Sequence, residues 1–274
     1  MNILERSPVI TIANMEFTVL ARQPLIWIIC IVIVLLSFVH AAGNMVLLPQ
    51  WILDGSSEVF ISGAMNNSFW YTTLFCSLLA MGIGITSISE ERSNGNIRVL
   101  LSKPMYRRDL IAGKFLGASA FLLVAVSMAL VLCVVTTLLV FNGPVSLSDL
   151  AVRMSCYGIV LFLYCVLTLG IAMLIGAYFK ELALALIFAF SYMYFGWILC
   201  YYFDYFKGTI SSLKLLDPYR LYCGIVFESG IGIFNVSIPV VTWFNSVSLE
   251  IGFLILEIIV IFLANCIVFN KEES

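Results

Sequence analysis

Apolar residues run through this chain in six long blocks, at 25–48, 70–89, 115–141, 154–179, 182–203 and 249–269, and the polar residues lie between them. Each block holds about 20 or more mainly apolar residues. That is the length at which a helix closes all its backbone hydrogen bonds internally across roughly 30 Å of hydrocarbon. The pattern predicts six transmembrane helices. Blocks four and five are parted only by Lys180 and Glu181. Read as one helix they would make about 50 residues and roughly 75 Å, too long for one crossing, so the chain is expected to turn there.

Two stretches outside the blocks also carry a pattern. Residues 8–22, "PVITIANMEFTVLAR", put Ile10, Ala13, Phe17 and Leu20 near helical spacing among Asn14, Glu16 and Arg22. This predicts a helix lying in the membrane interface before the chain turns inward at Pro24; an unstructured tail is the alternative. Glu5, Glu16 and the long run after Pro24 argue against a cleaved signal peptide. Residues 204–247 are too many for a simple connection. They mix Phe227, Ile231, Ile233, Phe234, Val240, Val241, Trp243 and Phe244 with Gly and Pro. Re-entrant or interfacial pieces that close an outer gate fit this mixture, and so does a capped loop with aromatics at the membrane boundary.

Composition makes the membrane reading firm. Of 274 residues, 62 % are hydrophobic and only 11 % charged, far from the proportions of soluble domains. The expectation is an all-α polytopic membrane protein in which residues 1–274 form a single transmembrane domain. A net charge of −2 gives no reason to expect nucleic acid as a partner, and membrane lipid is the medium. Six crossings put both termini, the 89–114 segment and the turn at 180 on one side. That side holds Arg6, Arg22, Arg92, Arg98, Lys103, Arg107, Arg108, Lys114, Lys180 and Lys271, ten of the fourteen basic residues. The other side has Arg153, Lys207, Lys214 and Arg220. The positive-inside bias therefore places both termini in the cytoplasm, with the protein in the cell membrane.

Several chemistries lack their residues. His40 is the only histidine, so neither a zinc-protease helix nor a Ser-His-Asp triad can be built freely. A phosphate-binding loop reads G-x-x-x-x-G-K-[ST]; here Gly113-Lys114 is followed by Phe115, and Arg108 stands where the first Gly is required. Glu90-Glu91 opens like an intramembrane protease motif, but its sixth position is Gly95 and the histidines needed further on do not exist. The eight cysteines form no C-x-x-C pair and read as small packing residues. Only Cys200 and Cys223 could meet on the outer side, as a disulfide or as free thiols. No catalytic, metal or cofactor site is expected in this chain.

What remains is "EERSNGNIRVLLSKPMYRRDLIAGK", residues 90–114, a dense charged stretch between two apolar blocks. Ile97, Leu100 and Leu101 fall at i, i+3 and i+4, so a short helix there has one apolar stripe, with Glu90, Glu91, Arg92, Arg98 and Lys103 on its wet side. A helix too short to span can dock in a partner's groove. Pro104 ends it, and a new helix can begin around 106–109 and run through Gly113 and Gly117, whose spacing allows a neighbouring backbone to approach closely. A loop that only fixes topology is the plainer reading, but acidic pair, stripe, proline stop and Gly-Lys junction together exceed what topology requires.

The run "EERSNGNIRVLLSKPMYRRDLIAGKFLG" resembles the segment between the second and third membrane helices of ABC-2 type transporter permeases. Glu91, Gly95, Leu100, Leu101, Pro104, Arg107 and the Gly113-Lys114 pair match positions of that family's pattern. Asn96, Met105 and Tyr106 depart from it. The outer stretch "LKLLDPYRLYCGIVFESG" is similar to one in permeases such as that of the nitrous oxide reductase maturation system, with Asp217, Pro218, Tyr219 and Arg220 at its centre and Asp217 where Asn is frequent. The resemblance implies a pair of permease subunits, in which residues 90–103 present a coupling helix to a separate ATP-binding subunit. ATP and magnesium would be bound by that partner. Its closing on ATP would tilt the bundle between inward- and outward-facing states, so that substrate or a conformational signal is exported.

Two carboxylates remain inside the last block. Glu250 and Glu257 are seven apart and share a helix face. Glu250 falls near the outer boundary, whereas Glu257 is deeper, where an acidic group costs roughly 2.5–3.5 kcal/mol and must face protein or water. A gating contact and a substrate contact both fit. The expected function is the transmembrane subunit of an ATP-driven exporter; the alternative from another class is a membrane scaffold or sensor whose cytoplasmic helix recruits a partner without transport.

Overall fold

The computed structural model of the chain describes residues 8–24, 27–28, 31–32, 35, 39, 66–93, 107–140, 146–179, 181–203, 217–227, 232–235 and 237–271. Among these there is no strand. Seven helices have bounds among the described residues, in order: α1 Pro8–Arg22, α2 Asn66–Ser93, α3 Arg107–Val140, α4 Leu147–Tyr178, α5 Leu182–Phe203, α6 Pro218–Phe227 and α7 Val240–Lys271. Four contain stretches long and apolar enough to cross a membrane: Phe69–Ile88, Arg108–Thr136, Leu147–Tyr178 and Val240–Phe269. They are the second, third, fourth and sixth apolar blocks. The fifth block is α5, whose described apolar part, Leu182–Ile198, is shorter. Most of the first block lies outside the described residues; Trp27, Ile31 and Leu35 within it are helical.

Helices start earlier than hydropathy marks them. α3 begins at Arg107, with Asp109 in its first turn, and α4 begins at Leu147, with Asp149 in its first turn and Ser146 as its cap. Carboxylates there lie at the positive end of the helix dipole, and Ser146 Oγ accepts from the Asp149 amide, so helix extends beyond the apolar stretch. The break between α4 and α5 falls at the charged pair: Phe179 leaves helical geometry while its N–H still donates to Ile175 O at 3.0 Å, and Glu181 O accepts the first bond of α5 from Ala185 N.

Residue-to-residue contacts set the direction of each helix. Along α2 and α4, Thr73 meets Tyr157 and Gly84 meets Leu169 and Ala172, while Ile85 and Ile88 meet Gly176. The two advance together, so they are parallel. α3 runs against α4, since Leu130 meets Gly158 and Phe115 meets Gly170. α7 is parallel to α4, with Ile238 held by Arg153 and Asn265 bonded to Gly170 O at 2.9 Å. The end of α2, the start of α3, the α4–α5 turn and the end of α7 therefore share one end of the bundle, here called the inner end. α1 is there too, packed on Gly113 and Gly117. α2 starts at the opposite end, so the chain passes from one end to the other between 22 and 66.

Apolar surface supplies no net force between helices in hydrocarbon; close backbone approach does. α2 and α4 form the centre of the bundle because Gly84 and Gly176 let them touch. A Cβ on Gly84 would lie 2.7 Å from both Ala172 Cβ and Leu169 O. By contrast α5 and α7 are apolar but face outward over much of their length, through Ile187, Phe188, Phe195, Leu256, Ile259 and Leu263 among others.

This seam generates a paired test. Gly84→Val forces the central helices apart and should cost about 1–3 kcal/mol, the usual range for overpacking. It should be read as a lowered melting temperature of the purified protein in lipid nanodiscs. Gly82→Val, where a Cβ would have nothing within 4 Å, should melt like the parent.

Candidate functional site

At the inner end, α1 lies along the first turns of α3. Gly113 faces Val9 and Ile12, Gly117 faces Ala13 and Glu16, and Phe17 meets Phe121 edge-on at 6.2 Å. Partners advance four for four, so the helices run side by side in the same sense. A Cβ on Gly113 would come within 2.6 Å of Ile12 Cβ, and one on Gly117 would collide with the Ala13 carbonyl oxygen. The G-x-x-x-G spacing thus receives α1 as its neighbour.

A charge cluster is buried in this junction. Lys114 Nζ donates to Glu16 Oε2 at 3.1 Å, to Ser87 O at 3.0 Å and to Ser87 Oγ at 3.4 Å. Ser87 Oγ donates to Glu16 Oε1 at 2.7 Å. The Lys114 and Glu16 side chains are only 3 % and 9 % exposed. One residue each from α1, α2 and α3 meets here, and both carboxylate oxygens and the ammonium have partners. Buried charge is tolerated on these terms.

Of the sequence-predicted coupling residues, Gly113 and Lys114 are in this junction. Gly95, Ile97, Leu100, Leu101 and Pro104 lie outside the described residues. Glu90 and Glu91 fall in the last turn of α2 and Arg107 opens α3, but their side chains are not described. Glu16 and Ser87 were missed as site residues. The available signal was a carboxylate on the apolar side of the 8–22 pattern, where it needs a buried cation.

At the outer end, α6 is wedged among α4, α5 and α7 and meets α2 through Trp70 and Thr73. Tyr222 is fully buried; its ring stacks on Tyr164 with centroids 4.6 Å apart, and its hydroxyl meets Thr73 Oγ1 at 2.7 Å. Thr73 Oγ1 also meets the Tyr157 hydroxyl at 2.8 Å, and Tyr157 donates to Phe69 O at 3.0 Å. Phe227, Phe234 and Phe69 stack in succession beside this hydroxyl group. Arg153, 2 % exposed, clamps the turn that follows. Its guanidinium donates to Ile233 O, Asn235 O and Ile238 O at 2.7–3.0 Å and to Asp149 Oδ2 at 2.8 Å. Of the outer apolar residues, Phe234 and Trp243 are buried, with the Trp243 indole donating to Ile225 O at 3.0 Å, whereas Val241 and Phe244 are exposed. Cys223 is buried; Cys200's side chain is not among those described.

Asp217 and Glu257, separate features in the sequence, come together here. Asp217 precedes Pro218 and caps α6, accepting from Tyr219 N at 3.2 Å through Oδ1. Tyr192 of α5, Asp217 and Glu257 of α7 lie within electrostatic reach of one another, and Gly196 of α5 abuts Tyr219 and Asp217. Asp217 Oδ2, Glu257 Oε2 and Glu250 Oε2 are buried with no hydrogen-bond partner among the described residues. Burial pushes the Asp217 carboxyl above its ordinary range, against the amides of Tyr219 and Arg220 and the Arg220 charge, which pull it down. Among the described residues no group of three or more His, Cys, Asp or Glu could hold a metal ion.

A helical bundle in which four helices are long and apolar enough to cross a membrane is that of a multi-pass membrane protein. The family model described as "ABC-2 family transporter protein" matches residues 10–273, nearly the whole chain, and the chain belongs to that family. Members are membrane permease components of ABC transporters and typically work with an ABC ATP-binding subunit. No curated protein matches the chain.

Asp217 can be tested apart from transport. Its native state binds the proton more tightly than the unfolded chain does, so stability should fall as pH rises through the carboxylate range. Asp217→Asn keeps the cap and removes that slope. Asp217→Ala removes the cap and should cost about 0.5–2 kcal/mol. Thermal melts of the nanodisc-embedded variants between pH 4 and 8 check both.

Proposed function

We propose that this chain is the transmembrane subunit of an ATP-driven exporter, one of a pair, coupled through residues 89–114 to a separate ATP-binding subunit that holds ATP and magnesium. The observation that carries the reading is the inner junction of a family member. The two stems of that segment, the end of α2 and the start of α3, emerge from a glycine-packed, charge-clamped joint, so a push on the segment is delivered to stiff helices. Ile97, Leu100 and Leu101 supply the docking stripe, with Glu90, Glu91, Gly95, Pro104 and Arg107 framing it.

Six crossings with both termini in the cytoplasm agree with the passage of the chain across the bundle between 22 and 66. They also agree with the basic residues gathered at the inner end. A second copy of the chain is the partner expected from the pairing the family resemblance implies, and the outward apolar faces of α5 and α7, far more exposed than those of α2 and α4, leave room for it beside lipid. The plug formed by α6 then closes the outer end, with Asp217, Tyr219, Arg220, Glu250 and Glu257 among the polar groups a gate can move. For ATP to shift this equilibrium, the partner must prefer one permease state over the other.

Co-expression with the ATP-binding subunit decides it. The parent chain should co-purify that subunit and raise its ATP hydrolysis in vesicles several-fold. Leu100→Asp with Leu101→Asp should reduce co-purification at least ten-fold while the permease still reaches the membrane. Intact association in that double variant would show the stripe to be wrong, and association without any change in hydrolysis would favour a scaffold.

A further inference from the structure

We infer that a slot beside α3 is a binding site for one acyl chain of a membrane phospholipid, held there more firmly than the lipid that merely surrounds the bundle. The inference concerns the lipid-facing side of the chain and does not depend on the transport reading.

The slot has a simple origin in the sequence. Trp27, Ile31 and Leu35 recur every four residues and make one helical stripe; Phe121, Ala125 and Ala129 make another on α3. At the inner end the two stripes close, because the Trp27 ring meets Phe121 edge-on at 6.3 Å. One and two turns further out, alanines stand where Phe121 stood, too short to reach Ile31 and Leu35. An apolar cavity of about 170 Å³ is left between the stripes, with Cys76 and Leu79 of α2 as its back wall.

Its floor and rim differ in exposure. Cys76, Leu79, Phe121 and Ala129 are at most 8 % exposed, whereas Val124, Met128 and Leu132 on one lip and Ile31 and Leu35 on the other are 39–59 % exposed. The α3 lip belongs to a membrane-spanning stretch, Arg108–Thr136. The mouth therefore opens sideways into hydrocarbon, and what lies against it is lipid.

Chemistry selects the chain rather than water or a headgroup. A buried water needs about two to four polar partners. No charged side chain lines the slot, and the Trp27 indole N–H is already given to Ala21 O at 2.6 Å. Left empty, the walls would forfeit their dispersion contacts on one side. The volume exceeds the about 150 Å³ of an apolar protein cavity that admits benzene. The shape is also that of a chain. From Phe121 to Leu132 the slot follows eleven residues of α3, about 16 Å at 1.5 Å per residue, along the helix axis and so along the direction of the acyl chains. A bound chain fills in for the side chains that Ala125 and Ala129 lack.

Photocrosslinking reads the slot in the unmodified chain. The full chain in phosphatidylcholine nanodiscs receives a trace of phosphatidylcholine bearing a diazirine in the middle of one acyl chain, and labelled peptides are mapped. Labelling of residues 121–132 should exceed that of α5 around Ile187, Phe188 and Phe195, which are 51–62 % exposed, at least five-fold. Ala125→Leu/Ala129→Leu fills the slot and should bring its labelling down to the α5 level while melting no lower than the parent. Equal labelling of the slot and α5 in the parent overturns the inference, as does parental labelling in a filled variant that melts like the parent. Slot labelling by a diazirine fatty acid but not by the phosphatidylcholine overturns it too. Should the filled variant not fold, the parent's ratio of slot to α5 labelling decides.

Discussion

Inside hydrocarbon, oily surface is no reason for two helices to associate, since the lipid is as apolar as they are. The bundle therefore depends on places where backbones come close enough for dispersion and polar contact to add up. Gly84 and Gly176 join α2 to α4, Gly170 joins α4 to α7 under Ile261, and Gly113 and Gly117 join α1 to α3. The two helices joined by Gly84 and Gly176, α2 and α4, are central, whereas α5 and much of α7 sit at the rim.

Polar groups are handled differently at the two ends. At the inner end Lys114, Glu16 and Ser87 satisfy one another, so the charges hold a single arrangement. At the outer end Arg153 and the Thr73–Tyr157–Tyr222 hydroxyls are satisfied as well. Beside them Asp217 and Glu257 each keep a buried oxygen with no partner among the described residues. In the proposed function the first arrangement suits a joint that transmits force, and the second suits an element that opens.

Much of this was legible in the sequence. Block length marked the helices, Lys180 and Glu181 marked the turn between α4 and α5, and the run through Gly113-Lys114 pointed to the permease family to which the chain belongs. The missed parts share a cause. Glu16 read as one polar residue in an imperfect amphipathic pattern, and Ser87 as a small residue inside an apolar block. A buried bond between residues 98 positions apart leaves no local trace. Asp217 and Glu257 were separate features for the same reason.

Sequence by itself determined the solvent and the elements. With 62 % hydrophobic residues in blocks of about 20, the chain has no other way to close its backbone hydrogen bonds than as membrane helices. Tertiary structure decided which polar groups meet and what the glycines are for. Those outcomes depend on helix direction, register and rotation, and the apolar faces, equally content against lipid or protein, do not encode them.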